Sequence, residues 1–258
     1  MPNIITIGSG TGNIITISPS VNAQNVVVSP YAASLGGSIS FGTMLNSYVA
    51  FAASSDWAPG TGDFTWEWYQ YQTTGSLSGR WQFPRVFECG EYQGLGGGIK
   101  MGVTIESNPN IMYVWGGTQV IMMSRTLTGN PQVGAWTHFA VTRNGTNLRL
   151  FMNGTQQGAT VTDSTNISDA TRPLFIGMES GSYATQTEFP GFITNLHLVK
   201  GTALYTGNFI RPSMPLTSVA NTKLLLLATT SASCAVDTAQ NLPVTFSNIA
   251  WSSTTPYS

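Results

Sequence analysis

The sequence predicts an all-β fold, a two-sheet antiparallel sandwich preceded by an N-terminal β-strand arm. Short runs of β-branched and aromatic residues recur along the chain, and clusters of Gly, Asn, Ser, Thr and Pro separate them at close intervals. No segment shows the periodicity of an amphipathic helix, so a sandwich is favoured over alternating strands and helices. The 258 residues suffice for one large domain and an appendage. We place the arm at residues 1–37 and the sandwich at residues 38–258.

The arm contains a repeat. The sequence N-I-I-T-I occupies residues 3–7 and again residues 13–17, with a glycine-rich turn between them. A two-stranded ribbon of this size is marginal alone in water, and no charged side chain precedes Asp56 to prevent edge pairing. We therefore expect the arm to pair with a neighbouring subunit; the alternatives are an arm folded against its own domain and an arm that pairs with a host surface. The side chains expected to be buried there are Ile4, Ile5, Ile7, Ile14, Ile15 and Ile17.

The sandwich strands are predicted in order from the apolar runs. They cover residues 38–41, 48–51, 64–71, 85–88, 99–105, 111–115, 120–123, 136–142, 148–152, 173–177, 192–199, 223–228, 244–246 and 249–251. Among their large aromatic residues, Trp66, Trp68, Trp136 and Phe139 are expected in the core between the sheets.

Residues 134–154 predict a central hairpin. Their sequence is G-A-W-T-H-F-A-V-T-R-N-G-T-N-L-R-L-F-M-N-G. Asn144 and Gly145 tolerate the positive φ angles of a tight hairpin turn, and a second Asn-Gly pair, Asn153 and Gly154, closes the second strand.

This hairpin resembles a signature of the concanavalin A-like lectin/glucanase superfamily, in its laminin G-like jelly-roll branch. Residues 56–68 are similar to an early strand of that family, and residues 191–209 to its closing strand and loop. The resemblance implies a jelly-roll sandwich over residues 38–258. It does not by itself select a function, because the fold hosts lectins, hydrolases, adhesion modules and virion proteins.

The charge of the chain is unusually low. Charged residues make up 8%, against about 25% in typical proteins, and the net charge is −1. Such weakly charged surfaces favour association with other copies or proteins. The absence of a basic stripe excludes direct nucleic-acid recognition. No apolar run approaches a membrane span, and residues 1–5 lack the features of a signal peptide, so we expect a protein made without one.

The carboxylates do not predict catalysis. Glucanases of the superfamily carry paired glutamates on one strand, and retaining hydrolysis needs carboxyl groups about 5–5.5 Å apart. Glu88 and Glu91 come closest, but their odd spacing places them on opposite faces of a strand. His138 and His197 are expected to be structural, because the sequence has no G-x-S-x-G elbow to supply a nucleophile. We therefore expect a protein that is not an enzyme.

No cofactor is expected. Some laminin G-like relatives bind calcium in rim loops, and Asp163, Asn166 and Asp169 share one polar loop that could supply oxygen ligands; a solvated loop is the favoured alternative. The two cysteines, Cys89 and Cys234, are expected as buried free thiols, with one disulfide as the alternative.

The aromatic residues beside glycine-rich turns predict where a glycan could stack. Lectin sites combine an exposed ring with a few polar groups, and the rim candidates are Tyr92, Trp115 and Tyr183.

The closing segments, residues 199–212, 224–228 and 248–256, are similar to laminin G-like domains of phage and large-virus virion proteins. The sequence hypothesis is thus a non-enzymatic virion structural protein: a capsid decoration, spike or fibre subunit at the virion surface. Its partners would be copies of itself, other virion proteins and host glycans. The alternatives are a carbohydrate-binding adhesion module and, more remotely, a glycoside hydrolase.

Overall fold

A computed structural model describes residues 36–42, 45–75, 78–90, 99–105, 111–117, 120–128, 133–179, 187–231 and 234–257. Two antiparallel sheets form a sandwich, which confirms the predicted fold class. Residues 1–35 of the predicted arm, with its six isoleucines, lie outside the described residues, so the arm and its boundary remain predictions.

The nine-stranded sheet, here called the large sheet, has the order β10-β9-β8-β3-β13-β1-β16, with β11 beside β9 and β14 beside β13. Its strands are β1 Ser38–Ser40, β3 Phe64–Gln72, β8 Trp136–Asn144, β9 Asn147–Met152, β10 Thr155–Gln156, β11 Val161–Thr162, β13 Gly191–Lys200, β14 Thr222–Leu226 and β16 Ala250–Ser252.

The seven-stranded sheet, here called the small sheet, has the order β15-β2-β12-β4-β5-β6-β7. Its strands are β2 Tyr48–Phe51, β4 Arg85–Gly90, β5 Ile99–Ile105, β6 Ile111–Gly116, β7 Val120–Thr126, β12 Leu174–Ile176 and β15 Val244–Ser247. The described residues also form two short 3-10 helices, Ser55–Trp57 and Gly79–Trp81. Nothing helical among the described residues has the length and apolarity needed to span a membrane.

The core lies between the sheets and is rich in aromatic rings. Trp66 of the large sheet stacks on Phe87 of the small sheet at 4.1 Å between ring centroids, and Trp68 stacks on Phe139 at 5.6 Å. Trp66, Trp68 and Phe139 are fully buried, as predicted. The expectation for Trp136 was wrong: it is half-buried on the outer face of the large sheet. Its odd spacing from Phe139 turns it away from the core.

The central hairpin is confirmed, with a one-residue shift in its turn. Asn144 pairs with Asn147 as the last rung of β8 and β9, so Gly145 and Thr146 form the turn and Gly145 takes the positive φ of 58°. The next turn follows the Asn-Gly expectation, because Asn153 and Gly154 have φ angles of 48° and 82°. Both hairpin turns therefore depend on a glycine.

Both cysteines are free thiols. Cys89 is buried in the core, and Cys234 packs against the core from a partly buried position. Burial raises the pKa of the Cys89 thiol well above its ordinary range, so this thiol stays protonated.

Candidate functional site

Residues 201–219, here called the strap, run between β13 and β14 and cover part of the outer face of the large sheet. An outgoing limb, residues 201–209, crosses the sheet to the β9–β10 turn, and a return limb, residues 210–219, crosses back toward β13. The fastening hydrogen bonds run from Thr65 Oγ1 to Thr202 O (3.0 Å), Thr142 Oγ1 to Tyr205 O (2.8 Å), Phe209 N to Gly154 O (2.9 Å) and Leu216 N to Asn195 Oδ1 (2.7 Å).

Two aromatic residues of the strap point toward the sheet. The rings of Tyr205 and Phe209 stack with 3.6 Å between centroids, and Phe209 packs edge-on against Phe151 of β9 at 5.3 Å. Gly201 permits the sharp exit from β13, with a φ of 89°. The strap is thus held by packing as well as by hydrogen bonds.

A buried polar cluster lies between the sheet and the strap, centred on Glu67. Because Trp66 and Trp68 face the core, alternation directs Glu67 to the outer face. Its Oε1 lies 2.8 Å from His197 Nδ1, and its Oε2 lies 3.2 Å from His138 Nε2. Tyr205 donates its phenol hydrogen to Oε2 at 2.9 Å. Three elements remote in sequence therefore meet at one carboxylate.

The electrostatics of the cluster favour an ionised Glu67. Its side chain is almost fully buried, which raises its pKa, but the hydrogen bonds and charges of His138 and His197 outweigh this and lower the pKa to about 2. Burial and the nearby Glu67 charge raise the pKa of Tyr205 far above its usual range, so Tyr205 remains a donor. A carboxylate held in this state accepts hydrogen bonds and does not serve as a general acid.

A cleft of about 320 Å³ opens between the two limbs of the strap. Glu67, His197 and Tyr205 line it on the sheet side. The remaining lining residues belong to the strap and are largely apolar: Leu204, Pro212, Ser213, Met214, Pro215, Leu216, Thr217 and Val219. The floor of the cleft thus contains the charged Glu67 side chain, and its walls are largely apolar.

A second feature lies on the same sheet face beyond the return limb. Tyr71, Trp136 and Phe192 occupy one row across β8, β3 and β13, and we call them the aromatic row. The ring centroid of Tyr71 lies 5.7 Å from that of Trp136 and 5.8 Å from that of Phe192. All three residues are half-buried, and the Trp136 indole nitrogen is itself buried. Ser40 of β1 continues the row.

The small sheet carries a separate ionic cluster. Arg85 Nε lies 2.5 Å from Glu88 Oε2, and Arg85 Nη2 lies 3.3 Å from Glu179 Oε2. All three side chains are almost fully buried. Glu91, the predicted neighbour of Glu88, lies outside the described residues. The Glu88 carboxylate is thus fully buried and paired with a guanidinium.

Of the three residues predicted to stack on a glycan, the structure describes Trp115. Trp115 lies on the outer face of the small sheet, where its ring stacks on that of Tyr113 at 6.2 Å, and it is 8% exposed. Tyr92 and Tyr183 lie outside the described residues. The glycan-stacking role of these three residues remains a prediction.

The predicted calcium loop is held by internal contacts. Asp163 Oδ2 lies 3.1 Å from Arg143 Nη1, and Asp163 Oδ1 accepts from the Thr165 hydroxyl at 2.7 Å. Asp169 Oδ1 accepts from the backbone N–H of Thr171 at 2.8 Å, in a turn beyond Asn166. Within the described ranges, no group of three or more His, Cys, Asp or Glu side chains is placed to hold a metal ion.

Two features escaped the sequence analysis although a signal for each was present. Glu67 stands between two core tryptophans, so it faces outward, and its burial requires a covering segment; which segment covers it could not be read locally. Trp136 is three residues from Phe139, and this spacing places the two rings on opposite faces of one strand. Strand alternation, applied to each residue, indicates both the polar cluster and the aromatic row.

Comparison with known proteins identifies the family of the chain. A laminin G family model, described as the Concanavalin A-like lectin/glucanases superfamily, matches residues 41–204, more than half of the chain. No curated protein sequence matches.

Two solved structures share the fold. A candidate carbohydrate binding protein from Bacteroides ovatus aligns with a TM-score of 0.60 at 13% identity, covering 84% of this chain and 60% of its own. A heptameric SAP-like pentraxin from Limulus polyphemus aligns with a TM-score of 0.56 at 13% identity, covering 84% of this chain and 94% of its own. The chain thus spans less than two thirds of the Bacteroides protein, and at these identities the likeness concerns the fold alone.

Proposed function

Because the chain belongs to the concanavalin A-like lectin/glucanase superfamily, we propose that it is a non-enzymatic carbohydrate-binding module whose sugar-contact surface is the aromatic row. The observation that carries the proposal is the adjacency of Tyr71, Trp136 and Phe192 on the outer face of the large sheet. Aromatic rings with a polar end are suited to contacts that are apolar on one side and wet on the other.

The three rings of the row lie close together. Their centroids form a triangle, with 5.7 Å from Tyr71 to Trp136, 5.8 Å from Tyr71 to Phe192 and 6.5 Å from Trp136 to Phe192, so the rings converge on one compact patch suited to the face of a single sugar ring. Tyr71 supplies a phenolic hydroxyl within the row, and Ser40, which lies next to Phe192, is 8% exposed. A binding site of this kind needs a ring surface for the sugar face and a few polar groups for its hydroxyls.

The state of the carboxylates supports binding over catalysis. A glycosidase acid needs a raised pKa, whereas the Glu67 pKa is lowered to about 2. Both oxygens of Glu67 accept hydrogen bonds from the cluster. Glu88 and Glu179 are bridged by Arg85.

A glycan array, followed by calorimetry with the best ligand, tests this proposal. Replacing Trp136 or Tyr71 by Ala should weaken binding by about 5- to 150-fold, taking the about 1–3 kcal/mol that stacking on one aromatic ring contributes in nucleic-acid sites as the guide. Tyr48 and Phe175 form a matched control, since they are a half-buried aromatic pair, 5.1 Å apart, on the outer face of the small sheet. Loss of binding in the control and not in the row, or no glycan bound at all, would contradict the proposal.

A second candidate is the virion structural role, with the protein at the particle surface and other virion proteins as partners. The charge content of 8% favours it, because weakly charged surfaces promote association. Negative-stain images of the purified protein should then show assemblies of uniform shape. A monodisperse monomer at micromolar concentration would argue against this role and would leave the proposal of glycan binding unaffected.

A further inference from the structure

β7 is an edge strand of the small sheet. Its seven residues pair with β6 on one side, and on the other side no strand pairs with it among the described residues. The next longest strand with a single partner, β14, has five residues, and β15 at the opposite edge of the small sheet has four. In the described part of the chain, β7 is therefore the longest strand that has a neighbouring strand on one side only.

The two ends of β7 differ in how they are covered. Arg125 donates from Nε to Gln157 O at 3.1 Å and from Nη2 to Ala159 O at 2.6 Å, so the C-terminal end is fastened to a loop of the large sheet. The N-terminal part, residues 120–124, exposes Val120 (46%) and Ile121 (49%) and contains no charged residue. The pairing with β6 shifts register between Ile121 and Met123, and Met122 and Met123 are both buried, so the exposed apolar side chains of this part are Val120 and Ile121. Natural proteins protect an edge with charges, bulges or a covering segment, and of these the N-terminal part of β7 has the register shift but no charge.

The chain itself contains a segment suited to this edge. Residues 3–7 and 13–17 each have the sequence N-I-I-T-I, which has strong β-propensity, no charge and no proline. Each copy of this repeat has the same five-residue length as the open part of β7. Main-chain pairing of an extended segment with a free edge, with side-chain complementarity on both faces, is a common mode of association.

We propose that the isoleucine-rich arm of one copy of the chain adds as a strand to residues 120–124 of β7 in a second copy. Val120 and Ile121 are neighbours in sequence, so their side chains point to opposite faces of the sheet. The repeat also places isoleucine on both faces, with Ile5 and Ile7 on one and Ile4 on the other. One added strand thus covers both exposed side chains.

The arm is long. From Ile17 to Gly36, the first described residue, an extended chain spans about 60 Å at about 3.3 Å per residue. Gly37 N is hydrogen-bonded to Ala228 O at 3.0 Å, so the arm leaves from a fixed point of the sandwich. A second copy is favoured as the acceptor because the weakly charged surface promotes self-association.

Light scattering on the full-length chain tests the acceptor. Ile121→Lys should raise the apparent dissociation constant of the oligomer at least tenfold, with Val120→Lys as a second acceptor variant. Phe246→Lys is the control, since Phe246 is 58% exposed on the edge strand β15. The donor variant, Ile5→Lys with Ile15→Lys, should dissociate like the acceptor variants. Circular dichroism should show the same fold in all of them.

A mixing experiment separates exchange between copies from folding back within one. Ile121→Lys keeps its arm and loses the edge, while the donor variant keeps the edge and loses the arm. Each should be monomeric alone, and their mixture should form a one-to-one heterodimer. A monomeric wild-type chain, a mixture without heterodimer, or equal dissociation of Phe246→Lys would overturn the proposal.

Discussion

Tyr205 donates a hydrogen bond to Glu67 Oε2 over 2.9 Å, although 138 residues separate the two along the chain. This contact joins the strap to the central strand of the large sheet. Together with His138 and His197, it satisfies a carboxylate that is 1% exposed. An unpaired charge at this depth would cost several kcal/mol, so the cluster makes closure of the strap and burial of Glu67 mutually dependent.

Acid should destabilise the protein through Glu67. The pKa of Glu67 is about 2 in the folded protein, against an ordinary value of 4.5. Its stabilising contribution is therefore complete above pH 4.5 and is lost as the pH falls toward 2, an effect of about 3 kcal/mol. Denaturant unfolding measured between pH 6 and pH 2 should show this decline, and Glu67→Gln should lose most of it. An identical pH dependence in the variant would contradict the assignment.

Tyr205→Phe should reduce the free energy of unfolding by about 2 kcal/mol, because it removes a hydrogen bond to a charged group. Tyr257→Phe is the matched control: its ring packs against Tyr69 on the same sheet face, and its buried hydroxyl has no partner in the described part of the chain. The control should change stability little or increase it. Equal losses in both variants, measured by denaturant titration, would show that the Glu67 contact is not the cause.

Gly154→Ala should detach the strap. A Cβ at Gly154 would lie 1.9 Å from Phe209 O, whereas at Gly145 nothing lies within 4 Å. Both glycines have positive φ, so alanine at either position strains the backbone. Gly145→Ala is therefore the control, and it should lower the free energy of unfolding by about 1–2 kcal/mol through this strain alone. Gly154→Ala should cost roughly 2 kcal/mol more, and the Phe209 amide should lose protection in hydrogen exchange. Matching losses in the two variants would rule out the clash as the fastening constraint.

The protein should release no reducing sugar from β-glucans, and Glu88→Gln and Glu91→Gln should leave glycan binding unchanged. The reason is that the Glu88 side chain is fully buried and paired with Arg85 at 2.5 Å, so it does not reach a bound glycan. A β-glucanase assayed in parallel provides the positive control. Turnover that disappears in either variant would show that this pair is catalytic.

Local patterns in the sequence were sufficient to predict the strands and the central hairpin. The runs that predicted β3, β8, β9 and β13 carry alternating apolar residues, and Gly145 and Gly154 fix the turns between β8, β9 and β10. The position of Trp136 was predicted incorrectly because its size was given more weight than its odd spacing from Phe139. Alternation decides which face a side chain takes, whatever its hydrophobicity.

The polar cluster could not be predicted from local patterns. Glu67, His138, His197 and Tyr205 meet because β3 lies between β8 and β13 and because the strap returns over them. Sheet order is set by packing between distant segments. A strand pattern shows which residues face outward, but it does not show which loop covers them.

The cluster around Glu67 also bears on the order in which the chain acquires structure. Every contact to this carboxylate closes a loop of many residues, from 71 between Glu67 and His138 to 138 between Glu67 and Tyr205. Long loops form slowly, and the strap has a completed sheet as its docking surface, so the strap should dock last. Until that step the carboxylate is hydrated, and desolvation of Glu67 accompanies the final consolidation of the native state. Refolding rates should consequently respond little to changes in Tyr205, whereas unfolding should accelerate when its hydroxyl is removed.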